Sequence, residues 1–193
     1  IRVWHYNLPS IKKYKDKRGL KLYTFYTVLD HINEVIYKPN QLIVASTEEE
    51  QQNIEYAAGT FELINKLAVK TVRFRVAKQT PTKVGQFVTF WEKDAKDMNQ
   101  PFQYNKSPDL LVITTFKDNT TFGQFVFPKD VLLRNDILQS HSTKGKMGIR
   151  VYPSWDKPTS NTAIKTQNWQ LDYFFKVNDT GILPTEKIRA LYK

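Results

Sequence analysis

The sequence contains no cysteine, which excludes disulfides, thiolate catalysis and cysteine-ligated zinc. Glycine is also scarce, with seven residues in 193, and neither of the common glycine-rich phosphate-binding motifs occurs. The three histidines, His5, His31 and His141, lie far apart and form neither an H-x-x-H nor an H-E-x-x-H pair. These absences argue against ordinary nucleotide-binding enzymes, histidine-based metal sites and a Ser-His-Asp triad recognisable from a motif.

Long apolar runs are missing as well. No stretch approaches the ~20 residues of a membrane span, and the first residues lack the uninterrupted apolar segment of a signal peptide. A composition of 40% hydrophobic and 13% aromatic residues is typical of a globular protein. We therefore expect a cytoplasmic protein without a membrane partner, whose length suits one domain, with or without an arm.

Acidic residues are absent from residue 63 to residue 91, although this stretch alternates apolar and basic residues like a set of strands. The whole chain has 29 Lys and Arg against 19 Asp and Glu, a formal charge of +10. Cations within strands must lie on a folded surface, which favours an anionic partner, most commonly nucleic acid. The alternative is a basic protein whose charge only aids solubility.

Hydrophobic periodicity predicts an α+β fold, or α/β with a mixed sheet: a central, antiparallel-leaning sheet flanked by helices. We predict helices over 27–37 and 46–58, strands over most of 60–127, a short helix after Pro128, a strand over 148–153 and a helix from Thr159 or Ser160 to about residue 175. Residues 1–22 are interpreted as a basic arm, native or artificial, residues 23–178 as one domain, and residues 179–193 as a frayed tail.

The first group of candidate phosphate ligands lies in residues 72–83. Arg73 and Arg75 share the face of their predicted strand that lies opposite the apolar side chains, and paired guanidinium groups suit phosphates. Lys78 would end the apolar face of that strand, and Thr80 and Lys83 follow on a proline-containing loop. The alternatives are a solvated face with surface ion pairs, a snorkelling lysine and simple turn formation.

The second group lies in residues 137–155, which also lack carboxylates. Lys144, Lys146 and Arg150 would contact phosphates, while Tyr152 and Trp155 would stack on bases. Packing in the core is the alternative for both aromatic side chains.

Amide side chains form the third group. Gln167 and Gln170 are three residues apart in a predicted helix and share a face, and Gln86 lies in a predicted strand. Glutamine reads base edges in nucleic-acid complexes, although it is equally common as an ordinary surface residue.

An enzymatic alternative comes from Pro108 and Asp109, which open an apolar strand as in nucleases of the PD-(D/E)-x-K type. The next strand offers Gln124 but lacks the following lysine, so Lys78 and a helical Glu55 would have to complete the site. Such a site would require Mg²⁺ or Mn²⁺. Because the motif is degenerate, we favour a protein without catalytic activity, and otherwise predict no metal, cofactor or small-molecule substrate.

Several strings occur in an order that resembles the MepB-like family over residues 28–174: FRVAKQTPTKVGQFVTFW, DLLVITTF followed by GQFVFPKDVL, GKMGIRVYPSWD and AIKTQNWQ. Met147 departs from the pattern, because a basic residue is expected there. The matching positions are Arg75, Lys78, Thr80, Pro81, Lys83, Gly85, Gln86, Asp109, Gly123, Phe127, Pro128, Gly145, Arg150, Tyr152, Pro153, Trp155, Gln167, Trp169 and Gln170.

The resemblance implies a fold of the restriction-endonuclease type and nucleic-acid binding. The founding member of the family is encoded beside a multidrug efflux pump and its repressor, which implies an accessory role in a drug-resistance operon. We therefore predict a protein that binds nucleic acid, DNA being the expected form, on a concave basic face. The alternatives are the metal-dependent nuclease and a protein-interaction accessory anchored on Trp91 and Trp155.

Overall fold

The computed structural model describes residues 14–15, 21–177 and 182–193. Most of the predicted basic arm therefore lies outside the described residues. Within it, β1 (Tyr14–Lys15) and β2 (Lys21–Leu22) pair as a short antiparallel hairpin.

The first helical segment confirms the helix predicted over 27–37. Helix α1 (Phe25–Ile32) begins after Thr24, whose side chain accepts a hydrogen bond from the main-chain N–H of Thr27. The chain continues through a π-helical turn (Asn33–Tyr37) into a 3-10 turn (Lys38–Asn40), so it stays helical past the predicted end. Pro39 is tolerated because it lies in the first turn of a 3-10 helix, where its missing N–H is not needed.

The central sheet has six strands in the order β13-β11-β10-β5-β4-β3. All neighbours are antiparallel except β5 and β10, which run parallel. The prediction of an α+β fold with a mixed, antiparallel-leaning sheet is therefore confirmed. The strands are β3 (Ile43–Glu49), β4 (Gly59–Ile64), β5 (Val69–Val76), β10 (Leu110–Phe116), β11 (Phe122–Pro128) and β13 (Phe174–Val177).

A second sheet has three antiparallel strands in the order β12-β7-β6. The residues around Pro81 that were expected to form a loop are the end of β6 and its turn into β7. The strands are β6 (Lys78–Thr80), β7 (Lys83–Thr89) and β12 (Gly148–Val151), and a separate hairpin joins β8 (Glu92–Lys93) to β9 (Asn99–Gln100). The remaining helices are α2 (Lys129–Arg134), α3 (Asn161–Leu171) and α4 (Thr185–Leu191), with 3-10 turns at Ile54–Tyr56 and Tyr104–Lys106.

Each face of the central sheet has its own hydrophobic core. On one face, Val72 and Phe74 of β5 belong to the same buried cluster as residues of α1 and α4. On the other face, Leu111 and Ile113 of β10 pack with residues of β7, β12 and α2. Strand β10 is buried on both faces, which explains its nearly uninterrupted apolar sequence.

The helix predicted over 46–58 is wrong. Residues 43–49 form β3, which pairs with β4 and contains an irregularity between Ala45 and Glu48, where Ser46 has a φ of 51°. The run of glutamates after Ser46 resembles the first turn of a helix, but pairing with β4 outweighs this local preference. A single 3-10 turn, Ile54–Tyr56, is the only helical part of that range.

Two expectations at the C-terminal end are also wrong. The helix that begins after Ser160 ends at Leu171 and not near residue 175, because residues 174–177 form the edge strand β13. The expected frayed tail contains α4, and Ile188 and Tyr192 are buried in the core. Of the helices in the described ranges, none has the length and apolar character needed to cross a membrane.

Candidate functional site

Four of the predicted site residues line one cavity of about 270 Å³ between β12 and α3: Lys146, Arg150, Tyr152 and Gln170. Thr166 and Trp169, which were not predicted to be site residues, line it as well. Among the described residues that line this cavity, none is Asp or Glu. We call this cavity the β12–α3 groove.

Gln170 determines how α3 lies against β12. Its Oε1 accepts a hydrogen bond of 2.9 Å from the main-chain N–H of Tyr152, and its Nε2 donates one of 3.0 Å to the carbonyl of Arg150. Strand β12 pairs with β7 along its other edge. The fully buried amide of Gln170 therefore satisfies main-chain groups that a neighbouring strand would otherwise satisfy.

The other two predicted amides are also bound to the main chain. Gln167 donates to the carbonyls of Asp156 at 2.9 Å and Pro153 at 3.1 Å, which holds the turn after β12. Gln86 is buried and donates to the carbonyl of Phe116 at 3.0 Å. The three amides predicted to read bases thus hold the protein's own backbone in the structure.

Arg150 joins β12 to the β6–β7 hairpin. Its Nη1 donates to Thr80 Oγ1 at 3.0 Å and to the carbonyl of Gly85 at 3.1 Å. No described residue accepts a hydrogen bond from its Nε or Nη2. The half-buried guanidinium therefore brings Thr80 and the exposed Lys83 next to β12 and keeps donors available.

Lys144 and Lys146 lie on a ribbon that folds back on itself before β12. The main-chain N–H of Lys146 donates to the carbonyl of Ile137 at 2.9 Å, and Gln139 forms a bridge with Lys144. Both lysines are exposed, and no carboxylate of the described residues forms an ion pair with them or with Lys83. The ammonium group of Lys146 donates to the carbonyl of Asn135 at 3.3 Å.

The two predicted stacking residues are largely packed within the protein. Tyr152 is buried, and its ring lies so close to Gly85 that a Cβ at Gly85, whose φ is +85°, would come within 2.7 Å of it. Trp155 is half-buried and contacts Phe174 edge-on at 5.6 Å between ring centroids. Tyr152 therefore packs against the start of β7, and Trp155 retains more exposed surface than Tyr152 does.

Arg73 and Arg75 require a correction. Alternation correctly places them opposite Val72 and Phe74, but this second face is covered by the other layer and not by solvent. Arg75 is fully buried, with its Nη2 2.6 Å from Glu50 Oε2, while Arg73 Nε donates to Glu50 Oε1 at 2.9 Å. Burial lowers the pKa of Arg75 to about 10, although the charge of Glu50 opposes this shift.

Lys78 also differs from its expected position. Strand β5 ends at Val76, and the chain leaves the central sheet so that Lys78 opens β6 of the smaller sheet. Its ammonium lies 3.2 Å from Glu55 and 4.5 Å from the ring centroid of Tyr56. Lys78 therefore forms an ion pair with Glu55 on the three-stranded sheet. It does not lie at the end of the apolar face of β5.

The four residues of the nuclease alternative do not converge. Asp109 precedes β10, whereas Lys78, with Glu55, follows the opposite end of the parallel neighbour β5. Gln124 is buried on the α4 side of the sheet, where it bonds to Thr114 and Tyr192. In the described ranges, no group of three or more His, Asp or Glu residues is arranged to hold a metal ion.

Asp109 instead stabilises the start of β10. Its Oδ2 accepts hydrogen bonds of 2.9 Å from both the main-chain N–H and the hydroxyl of Thr71. Burial favours a higher pKa for Asp109, but the bonds from Thr71 and the charges of Lys129 and Lys70 leave this pKa below its ordinary value. The carboxylate is therefore ionised at neutral pH and bound to its neighbour.

Comparisons with known proteins agree on one similarity. A family model described as MepB-like matches residues 50–176, which include the whole β12–α3 groove. A solved crystal structure of MepB is similar with a TM-score of 0.65 and 37% sequence identity, over 80% of this chain and 97% of that one. A comparison with curated proteins gives no match.

Proposed function

The chain belongs to the MepB-like family, and we propose that it binds nucleic acid along the β12–α3 groove and the adjacent β6–β7 turn. In this proposal Lys83, Lys144, Lys146 and Arg150 contact phosphates. The observation that carries it is a groove lined by two cations without a carboxylate, beside exposed lysines that form no ion pair with any residue that the structure describes. Such an arrangement attracts a polyanion.

The distribution of charge along the chain makes the carboxylate-free lining of the groove more informative than the net charge of the protein. Residues 1–22 contain seven of the 29 Lys and Arg but only one of the 19 acidic residues. The remaining residues are therefore much closer to balance, with 22 basic and 18 acidic side chains. A groove lining without a carboxylate in such a domain is a specific arrangement and not a consequence of overall composition.

The structure changes which residues the proposal includes. Arg73, Arg75 and Lys78 are omitted because each is paired with a glutamate. Gln86, Gln167 and Gln170 position the backbone, so the groove offers few groups for reading base edges. Since phosphate contacts carry no sequence information, we expect binding at the groove to show little sequence preference.

Substitution of exposed cations tests the proposal. We expect Lys83→Gln and Lys146→Gln each to weaken binding to a labelled oligonucleotide about fivefold to tenfold at about 0.1 M salt, because each removes one phosphate contact. Fluorescence anisotropy measures the change. Arg189→Gln is the matched control, because Arg189 is an exposed cation on α4, across the central sheet from the groove.

Two results would contradict this function. The first is the absence of any oligonucleotide binding at low salt, and the second is equal weakening by Arg189→Gln and Lys146→Gln. A relation of the fold to restriction endonucleases and an accessory role in a multidrug-resistance operon belong to the same proposal. No contact in the described residues favours the nuclease or the protein-interaction alternative over it.

A further inference from the structure

A second cavity, of about 360 Å³, lies between the loop that precedes β10 and the ribbon that follows α2. Its described lining contains neither a carboxylate nor an ammonium group. It consists of Gln100, Gln103, Tyr104, Asn105, Gln139, Ser140 and His141. We call it the amide pocket.

The amides of this pocket differ from the glutamines in and around the two sheets. Gln86, Gln124, Gln167 and Gln170 all use their side chains in hydrogen bonds within the protein. In the described part of the chain, the side chains of Gln100, Gln103, Asn105 and Gln139 make no such bond. The Oε1 of Gln139 is buried and has no hydrogen-bond partner among the described residues, so it is an acceptor that a ligand can use.

The frame of the amide pocket is held by main-chain contacts. Gln139 donates its N–H to the carbonyl of Phe102 at 2.9 Å and accepts from the N–H of Tyr104 at 3.0 Å. Gly145, with a φ of +71°, lets the ribbon approach Pro101, where a Cβ would come within 2.6 Å. These main-chain contacts hold the walls of the pocket in place, which favours binding.

We propose that the amide pocket binds the base of an unpaired nucleotide. Amide groups supply paired donors and acceptors that match the edges of bases, and an aromatic ring such as Tyr104 supplies a stacking surface. The volume lies within the ordinary range of about 300–1,000 Å³ for small-ligand pockets. The Tyr104 hydroxyl donates to Asp130 at 2.6 Å, which fixes the orientation of the ring.

Cations around the pocket favour a nucleotide over a neutral sugar. Lys106 is exposed two residues after Tyr104, and Lys129 lies 5.3 Å from the centroid of its ring. Lys144 forms a bridge with Gln139 on the ribbon that also carries Lys146 of the β12–α3 groove. This pocket adds base binding to the proposed function and rests on that function, because the β12–α3 groove would hold the strand whose base enters the pocket.

Neutral nucleosides test the pocket separately from the phosphate contacts. We expect the four common ribonucleosides, added to the intact ¹⁵N-labelled chain, to shift the side-chain amide signals of Gln103 and Gln139 saturably. Gln139→Leu and Asn105→Ala should each abolish the nucleoside-induced shifts of the pocket amides that the variant still contains. Gln52→Ala, which changes an exposed amide elsewhere in the chain, should leave these shifts intact. Because Asn105 is exposed, its substitution keeps the test valid if Gln139→Leu does not fold.

Oligonucleotides distinguish a base within a strand from a free nucleotide. We expect a single strand of about 12 nucleotides to bind roughly tenfold more tightly than a duplex of the same length, and Asn105→Ala to remove this preference without weakening duplex binding. If the protein binds duplex DNA but shows neither a preference for single strands nor shifts with nucleosides, base binding in the amide pocket is wrong and the groove proposal still holds. Nucleoside shifts without any strand binding would support the pocket for free nucleotides and overturn the groove. Equal shifts with glucose would overturn base recognition.

Discussion

The buried arginine of β5 is the most unusual single residue of this protein. Arg75 has no exposed surface, and its Nε has no hydrogen-bond partner within the described residues. Its contact with Glu50 is ionic and close, but is not aligned as a hydrogen bond. A charge in such a place is tolerated only while its counter-ion is present.

Removal of Glu50 should therefore be costly. We expect Glu50→Ala to lower the free energy of unfolding by about 3–5 kcal/mol, because it leaves Arg75 buried without a counter-ion and deprives Arg73 of its partner. Urea denaturation measures the change. Glu48→Ala, a neighbouring exposed glutamate of β3, should change stability by no more than about 0.5 kcal/mol. Equal effects of both substitutions would show that the buried pair does not stabilise the fold.

A chain of buried hydroxyl and amide groups ties the last residues to the central sheet. Tyr192 donates to Gln124 Oε1 at 2.8 Å and contacts the hydroxyl of Tyr37 at 3.3 Å. Burial raises the pKa of Tyr37 from its ordinary 10 to about 12 and places the pKa of Tyr192 well above 10. The folded protein therefore keeps protons that the unfolded chain loses above pH 10.

This retention of protons predicts alkaline destabilisation. Between pH 10 and about 12 the unfolded state binds fewer protons than the folded state, so the free energy of unfolding should fall as pH rises through this window. Tyr192→Phe should cost about 1 kcal/mol at pH 7, because it removes one hydrogen bond, and should make the decline above pH 10 shallower. Denaturant titrations at several pH values measure both effects. An unchanged decline in the variant would contradict this account.

Among the elements, α3 and β12 are joined by the side chain of Gln170, which bonds to the main chain of Arg150 and Tyr152. Helix α3 has a mostly polar sequence, and the buried Gln170 is the residue that binds it to the edge of β12. The β12–α3 groove forms where these two elements meet. Its shape therefore depends on a contact between residues about 20 positions apart in the chain.

Loss of this contact should loosen the groove. We expect Gln170→Leu to destabilise the protein by about 1–3 kcal/mol, since the buried N–H of Tyr152 loses its acceptor. Amide hydrogen exchange at Tyr152 should accelerate more than exchange in β10. Asn168→Ala, an exposed residue of the same helix, should change neither quantity appreciably. Unaltered exchange at Tyr152 would mean that Gln170 does not hold the strand edge.

In the whole molecule, the packing of the two sheets determines which cations are buried and which lie close together on the surface. The smaller sheet covers one face of the central sheet, which encloses Arg75 and places Arg150 beside the β6–β7 turn. The cations to which our proposal assigns phosphate contacts lie on that smaller sheet and on the adjacent ribbon. A whole-molecule measurement, the salt dependence of binding, reports how many of them take part.

Each phosphate contact should contribute about −0.9 to the slope of log K against log salt on duplex DNA. We expect Lys146→Gln to make the measured slope of the intact chain less negative by about 0.9, and Lys83→Gln with Lys146→Gln by about 1.8. Fluorescence anisotropy at several salt concentrations gives these slopes. The control Arg189→Gln should leave the slope unchanged. If the slope is also unchanged in both lysine variants, these lysines do not contact phosphates.

Features that depend on neighbouring residues were predictable from the order of the amino acids alone. Periodicity predicted α1 and the strands that occupy most of residues 60–127, and Thr159 or Ser160 marked the start of α3. Motifs in order also indicated the MepB-like family, which the comparisons confirm. These features are local because hydrogen bonding and side-chain alternation act over a few residues.

The layer that covers each face and the partner of each buried polar group depend on contacts that form in the folded molecule. Alternation placed Arg75 opposite Phe74, but the layer that buries it comes from strands that follow later in the chain. Likewise Gln170 was recognisable as a polar residue of a helix, while its bonds to β12 required both elements in position. Contacts between distant segments produce no periodic pattern in the sequence. The burial of Tyr192 and the grouping of amides around Tyr104 therefore could not be predicted from it.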